Sequence, residues 1–151
     1  MDTSSLLIGI ALILLCALPV LYIINNQQKN KKKKARIFRI YRQDKYNFQT
    51  VENHYRKLYA LDEQNKGFLF ADLDQPESEA TFIDLTKVNT ARVEETTYGT
   101  DARISIHFKS SQKEGEDIVL YDSGKDKLGH AYWNENVIIA QKWQQILQDS
   151  I

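Results

Sequence analysis

The feature that most constrains this chain is an uninterrupted apolar run at residues 6–24, LLIGIALILLCALPVLYII. A helix of nineteen residues extends for about 28 Å, close to the ~30 Å hydrocarbon core of a bilayer. A cleaved signal peptide is a poor alternative, because residues 1–5 hold an acid and no Lys or Arg, the run is too long, and no small-residue cleavage site follows. A lipoprotein signal at Cys16 is also poor, since Leu15 stands where a small residue is needed. We therefore expect an uncleaved transmembrane helix over residues 6–24.

The charge of the chain is divided by position, although its formal total is zero. Residues 25–43 hold eight basic and no acidic side chains, whereas residues 44–151 hold 12 basic and 19 acidic ones. The positive-inside rule then predicts a single-pass protein of the inner (plasma) membrane, with residues 1–5 outside and the domain of residues 44–151 in the cytoplasm. The basic juxtamembrane linker, residues 25–43, is expected to bind anionic lipid headgroups at the membrane interface. Its basic residues are Lys29, Lys31, Lys32, Lys33, Lys34, Arg36, Arg39 and Arg42.

Nucleic-acid binding is not expected from this charge distribution. The acidic excess of residues 44–151 would repel phosphates, and the basic run does not continue onto the domain. The lysine run is instead typical of a segment that stops membrane transfer and faces anionic lipids.

The residue types that usually carry enzymatic or metal chemistry are sparse. The chain has one cysteine, Cys16, and its three histidines, His54, His107 and His130, fall on different predicted elements. No zinc, nucleotide-binding or nucleophile motif occurs in the sequence. An acidic loop lacks the spaced glycine of a calcium loop, so we interpret it as a solvated turn. Its acids are Asp72, Asp74, Glu77 and Glu79. We therefore predict no catalytic residue, no cofactor and no metal.

The domain reads as a series of short strands followed by one helix, which predicts an α+β fold or a capped β-barrel. Six segments are predicted as strands: KLYAL, GFLFADL, ATFIDL, VNTARVEE, ARISIHFKS and DIVLYD. In the fifth, Ile104, Ile106 and Phe108 share one face. The last segment is a helix capped by Asn134, with an apolar stripe at helical spacing. The stripe contains Ile139, Ala140, Trp143, Ile146 and Leu147. Residues 44–56 fit either a helix or a strand.

The order of these segments over residues ~57–148 resembles the pleckstrin-homology-like (PH-like) domain, and in particular the small membrane-anchored PH-like proteins of bacteria. The resemblance implies a bent antiparallel sheet or barrel of seven strands, capped by the C-terminal helix. Phe82–Val88 resembles the segment that joins the third and fourth strands, and Trp143 matches the helix tryptophan that anchors the helix in the sheet. The seventh strand would be either KYNFQTV or HAYWN.

The same resemblance bears on ligand and function. In the family, basic residues of the first hairpin loop bind phosphoinositides, but the loop DEQNK at residues 62–66 has two acids and one base, so that activity is not carried over. We expect a non-enzymatic binding or scaffolding module that presents the domain to a protein partner. The alternatives are a lipid-headgroup-sensing domain, or an envelope-associated sensor or enzyme. Aromatic residues near element ends are expected in the core or at its rim, and some could line a peptide groove. They are Tyr55, Tyr59, Tyr132 and Trp133.

Overall fold

The computed structural model describes residues 3–42, 46–76, 79–110, 115–126 and 129–151. The chain divides into two compact units, residues 1–40 and 41–151. Helix α1 is Thr3–Arg42, and most of it belongs to the first unit. Among the described residues, seven strands and helix α2, Trp133–Ser150, belong to the second unit.

Helix α1 is long and apolar enough to cross a membrane. Its described apolar side chains are exposed along the run, for example at Ile13 with 69% and at Leu15 with 73%. The helix passes through Pro19 without ending. It also continues through residues 35–42. The basic linker is therefore helical as far as Arg42, and Gln43 lies outside the described residues.

The strands form two open antiparallel sheets within the described part of the chain. The first sheet has the order β1-β2-β3-β4, with β1 Thr50–His54, β2 Lys57–Asp62, β3 Gly67–Asp72 and β4 Thr81–Asp84. The second has the order β5-β6-β7, with β5 Val88–Tyr98, β6 Asp101–Ser110 and β7 Glu116–Asp122. Short 3₁₀ helices, Leu85–Lys87 and Gly129–Tyr132, precede β5 and α2. The architecture is thus α+β, as expected.

Strand β1 shows whether residues 44–56 form a helix or a strand and where the seventh strand lies. Residues 50–54 pair with β2 in antiparallel register, which makes the end of residues 44–56 a strand. The alternative seventh strand, HAYWN, was wrong, because these residues enter the 3₁₀ helix and α2. Strand β5 extends to Tyr98, beyond the predicted end of VNTARVEE, and the turn is limited to Gly99 and Thr100. Residues 111–114, between β6 and β7, lie outside the described residues.

Helix α2 begins one residue before the predicted cap. Tyr132 occupies the N-cap position without a side-chain hydrogen bond, so the prediction of Asn134 as the cap was wrong. The physical reason is that the 3₁₀ helix runs directly into α2 and Asn136 Nδ2 donates to the Tyr132 carbonyl, 2.8 Å away. Glu135 does stand in the first turn, where an acid favours the helix dipole.

The core lies between the two sheets and beneath α2. The predicted face of β6 is confirmed, since Ile104, Ile106 and Phe108 are all buried. The predicted stripe of α2 is also confirmed: three of its residues are buried and the other two pack against the core. Trp143 is fully buried and stacks on Tyr59, with ring centroids 5.2 Å apart. Helix α2 therefore packs through its tryptophan.

Candidate binding cleft between the two sheets

Two adjoining cavities, of about 520 and 420 Å³, lie where β2 and β3 approach β7. They share four lining residues, Lys57, Asp72, Tyr121 and Asp126. We call these two cavities together the inter-sheet cleft. Volumes of this size are typical of ligand pockets.

Lys57 is the central residue of the inter-sheet cleft. It is the first residue of β2, and its side chain is only 9% exposed. Its Nζ donates to the Leu120 carbonyl and to Asp126 Oδ2, the latter at 3.0 Å, and it lies 4.9 Å from the centre of the Tyr121 ring. A buried lysine needs such partners, because an uncompensated charge away from water is strongly unfavourable. Lys57 therefore connects the first sheet to the second.

A β-bulge explains why the Leu120 carbonyl accepts this bond. In the register of β6 with β7, Ile104 pairs with Tyr121 and Ser105 pairs with Val119, so Leu120 is an extra residue without a partner. A bulge disrupts the ladder locally and leaves the extra residue unpaired. Its carbonyl is satisfied by the Lys57 ammonium on the other sheet.

Asp72 has no cationic partner among the described residues, unlike the other aspartates of the cleft that form ion pairs. It ends β3 and lies directly opposite Lys57 in the antiparallel register. Its Oδ1 accepts from the Asp74 N–H at 2.8 Å, but no ion pair joins it to a cation among the described residues. Asp74, by contrast, pairs with Arg56 at 2.5 Å. The half-buried Asp72 carboxylate therefore has a backbone donor and no counter-ion.

A second ion pair closes the far wall of the larger cavity. The side chain of Asp122, 5% exposed, lies 3.1 Å from Arg103 Nη2, and it also accepts from the Tyr98 hydroxyl. Burial alone would raise the pKa of Asp122, but the hydrogen bonds from Tyr98, Arg103 and Gly124 lower it. The same bond to Asp122 raises the pKa of Tyr98. The Asp122 carboxylate is therefore ionised, and its oxygens already accept hydrogen bonds from groups of the domain.

The turn between β1 and β2 forms the rim of the smaller cavity. Tyr55 has a φ of 52°, a left-handed conformation that is unusual for a bulky residue, and its side chain is 49% exposed. Its hydroxyl donates to Glu135 Oε2 on α2, and this bond raises the pKa of Tyr55 to about 12. The Tyr55 ring packs edge-on against Tyr132, with centroids 5.0 Å apart. An exposed aromatic ring is thus held at the mouth of the cleft.

The structure keeps the predicted histidines apart. His54 is on β1, and burial lowers its pKa. His107 Nδ1 lies 2.5 Å from Asp117 on the neighbouring strand, and His130 Nε2 lies 2.9 Å from the Thr100 carbonyl. No group of three or more His, Cys, Asp or Glu side chains in the described residues is placed to hold a metal.

The loop at residues 62–66 is not the first hairpin loop, because β1 precedes it and the first hairpin turn is Tyr55–Arg56. This corrects the position to which the phosphoinositide comparison was applied. Asp62 is fully buried and accepts from the backbone N–H groups of Gln64 and Asn65 at 3.0 Å. Lys66 Nζ donates to the Ser150 carbonyl at the end of α2. The loop is therefore a packed structural turn.

The other predicted residues fall in separate places. The basic residues of the linker are all on α1, and Trp143 is in the domain core. Of the acidic loop, Asp72, Asp74 and Glu79 line the cleft, while Glu77 lies outside the described residues. Sequence reasoning missed Lys57 and Asp126. The one available signal was a lysine at the start of an otherwise apolar strand, KLYAL.

Comparisons with protein families, with curated proteins and with solved structures find no match for this chain.

Proposed function

We propose that this protein is a single-pass, membrane-anchored binding module, without enzymatic activity, that presents a cytoplasmic PH-like domain to a protein partner. The observation that carries the proposal is the exposure of the apolar run on α1, where Ile13 and Leu15 are more than two-thirds exposed. Exposed apolar area of this extent is unfavourable in water and is stabilised in a bilayer. The inter-sheet cleft supplies a site at which the domain can bind a partner.

The arrangement of the domain supports the PH-like assignment. A four-stranded and a three-stranded antiparallel sheet are followed by a C-terminal helix that packs through Trp143. This is the order of elements implied by the resemblance in the sequence. The lipid-headgroup alternative is less well supported, since Arg56, the cation of the first hairpin turn, is held in an ion pair with Asp74.

The helical continuation of α1 refines the role proposed for the basic residues. Along a straight helix, Lys29 lies about 7.5 Å beyond Ile24 and Arg42 about 27 Å beyond it. The headgroup region extends only ~5–7.5 Å past each side of the hydrocarbon core. Lys29, the lysine nearest the span, is thus within reach of anionic headgroups, and the lysines that follow it help to fix orientation. Arg39 and Arg42 lie beyond that layer.

The membrane part of the proposal is tested by spin labels in the full-length protein, with Cys16→Ala as the background. Collision of the label with a nickel chelate attached to lipid headgroups should be strong at Lys29 and fall sharply at Arg39. A C-terminal reporter that is active only in the cytoplasm should be active. Equal collision at both positions, or an inactive reporter, would contradict the proposed geometry or topology.

The binding part is tested by photo-crosslinking in intact membranes. A photoreactive residue at Tyr55, at the mouth of the cleft, should crosslink to a discrete protein. The same residue at Asp149, an exposed position of α2 outside both cavities, is the matched control. If neither position gives a crosslink, or both give the same one, the cleft is not the recruiting surface.

A further inference from the structure

The inter-sheet cleft carries an excess of negative charge. Six acidic and four basic side chains line its two cavities. Three of the four cations are already held in ion pairs: Arg56 with Asp74, Lys57 with Asp126, and Arg103 with Asp122. Asp72, which lines both cavities, is left without a counter-ion among the described residues. A carboxylate at a partly desolvated site attracts a cation more strongly than one in open water.

The Lys57 ammonium shows that the walls of the cleft can bind a cationic group. Its ammonium lies over the Tyr121 ring and beside Asp126, so one cation is already bound by an aromatic face and a carboxylate. Tyr55 and Asp72 line the smaller cavity next to this pair. A second ring and a second carboxylate are therefore present in the same cavity, and the carboxylate has no ion pair among the described residues. Aromatic faces and carboxylates together are the usual surroundings of ammonium and guanidinium groups.

We propose that the smaller cavity binds the side chain of a lysine or arginine from a basic segment of the partner protein. Asp72 is the counter-ion, and Tyr55 supplies the aromatic face at the entrance. This inference rests on the proposed function, since it names the chemistry of the partner's contact. The cavity of about 420 Å³ has room for one such side chain and the adjoining backbone.

The test uses the full-length protein in nanodiscs of zwitterionic phosphatidylcholine, so that cationic probes do not bind the lipid. The probes are acetyl-Gly-Arg-Gly-amide, its glutamate counterpart acetyl-Gly-Glu-Gly-amide, and spermidine, with binding followed by calorimetry. The decisive variant is Asp72→Asn, which keeps the Oδ1 acceptor for the Asp74 N–H. The matched control is Asp149→Asn, which removes the same charge on α2.

The arginine peptide should bind the wild-type protein and the Asp149→Asn variant alike, and at least tenfold more weakly to Asp72→Asn. Arg56→Gln provides a test of opposite sign, because it frees the Asp74 carboxylate at the same cavity. It should strengthen binding of the arginine peptide, whereas at an anion site the loss of Arg56 would weaken binding. The side chain of Arg56 is 37% exposed, so we expect the variant to fold.

Three results would overturn the inference: equal affinity of Asp72→Asn and Asp149→Asn, tighter binding of the glutamate peptide, or spermidine binding much tighter than the arginine peptide. The last result would assign the site to a free polyamine. A Tyr55 crosslink that survives in Asp72→Asn would refute the inference and leave the proposed function intact. If the protein with an intact Asp72 gives no crosslink that is specific to position 55, the proposed function is refuted instead.

Discussion

Replacing Trp143 by alanine tests whether α2 is held to the sheets by this side chain. The indole is fully buried, stacks on Tyr59 at 5.2 Å with the rings inclined by 17°, and lies 5.6 Å from the Phe68 ring. Its Nε1 also donates to Glu52 Oε2 at 3.0 Å. The side chain therefore contributes apolar burial, two ring contacts and one hydrogen bond to a carboxylate.

The size of the effect follows from these contacts. Burial of about 200 Å² of aromatic surface contributes ~5 kcal/mol at 25 cal/mol per Å². Truncation of buried Phe or Trp to Ala costs about 3–5 kcal/mol in other proteins. We therefore expect Trp143→Ala to lower the free energy of unfolding of the domain by about 4 kcal/mol. For a domain of this length the total is of the order of 5–15 kcal/mol.

The assay is urea unfolding of the full-length protein in micelles. Fluorescence still reports in the variant, because Trp133 is the other of the two tryptophans. Trp133→Phe is the matched control and should cost about 1 kcal/mol or less, since Trp133 is only partly buried at the edge of the core. A loss below about 1.5 kcal/mol for Trp143→Ala, or an equal loss for the control, would refute the packing argument.

Three further predictions concern turns and edges of the domain. Asp62→Asn should cost about 1–3 kcal/mol in the same titration, because an amide group in place of Oδ2 would face the Asn47 N–H, now 2.6 Å away. Burial alone would raise the pKa of Asp62, but hydrogen bonds, chiefly from Asn65, lower it. The wild-type domain should therefore lose stability as the pH falls below about 4, and Asp62→Asn should lose less over that range. Gln144→Ala should accelerate hydrogen exchange of the Val93 amide, which lies on the edge strand β5 and donates to Gln144 Oε1 at 2.6 Å. Unchanged exchange would show that this side chain does not protect the amide.

Local patterns were sufficient where a segment buries one face along its whole length. Strand β6 alternates cleanly, and the stripe of α2 recurs at helical spacing, so both were predicted with the correct buried residues. The long helix could also be predicted, because a run of nineteen consecutive apolar residues is longer than the apolar runs expected in the helices of soluble proteins. These elements form wherever their periodicity can be satisfied.

Strand β1 shows where local pattern fails. TVENH has one strongly apolar residue, Val51, and that side chain is 43% exposed. Its strand conformation comes from pairing with β2, in which Val51 lies opposite Ala60. Tertiary pairing overrides weak local preference at such an edge. The start of α2 is similar, since the preceding 3₁₀ helix replaces the cap expected at Asn134.

The cleft could not be predicted from the sequence because its central contact is non-local. Lys57 and Asp126 are 69 residues apart, and the other acceptor of Lys57 is the carbonyl of Leu120, which a bulge leaves without a register partner. The sequence DIVLYD carries no mark of that bulge. The acidic residues of the 72–79 loop were noticed, but their relation to Lys57 required the register of β2 with β3.

The same geometry ties the charge of the cleft to the stability of the fold. Lys57→Met would leave the buried Leu120 carbonyl without its donor, at a cost of about 1–3 kcal/mol. It would also remove the ion pair of Asp126, which is partly exposed and still accepts from the Asp122 N–H. In the urea titration this variant should therefore be destabilised far more than Arg56→Gln, whose ion pair is half-exposed and contributes at most about 1 kcal/mol. Similar stabilities for the two would show that Lys57 does not join the sheets. If the difference is found, Lys57 is part of the structure, and the proposed affinity of the cleft for cations is better changed at Arg56 or Asp72 than at the central ammonium.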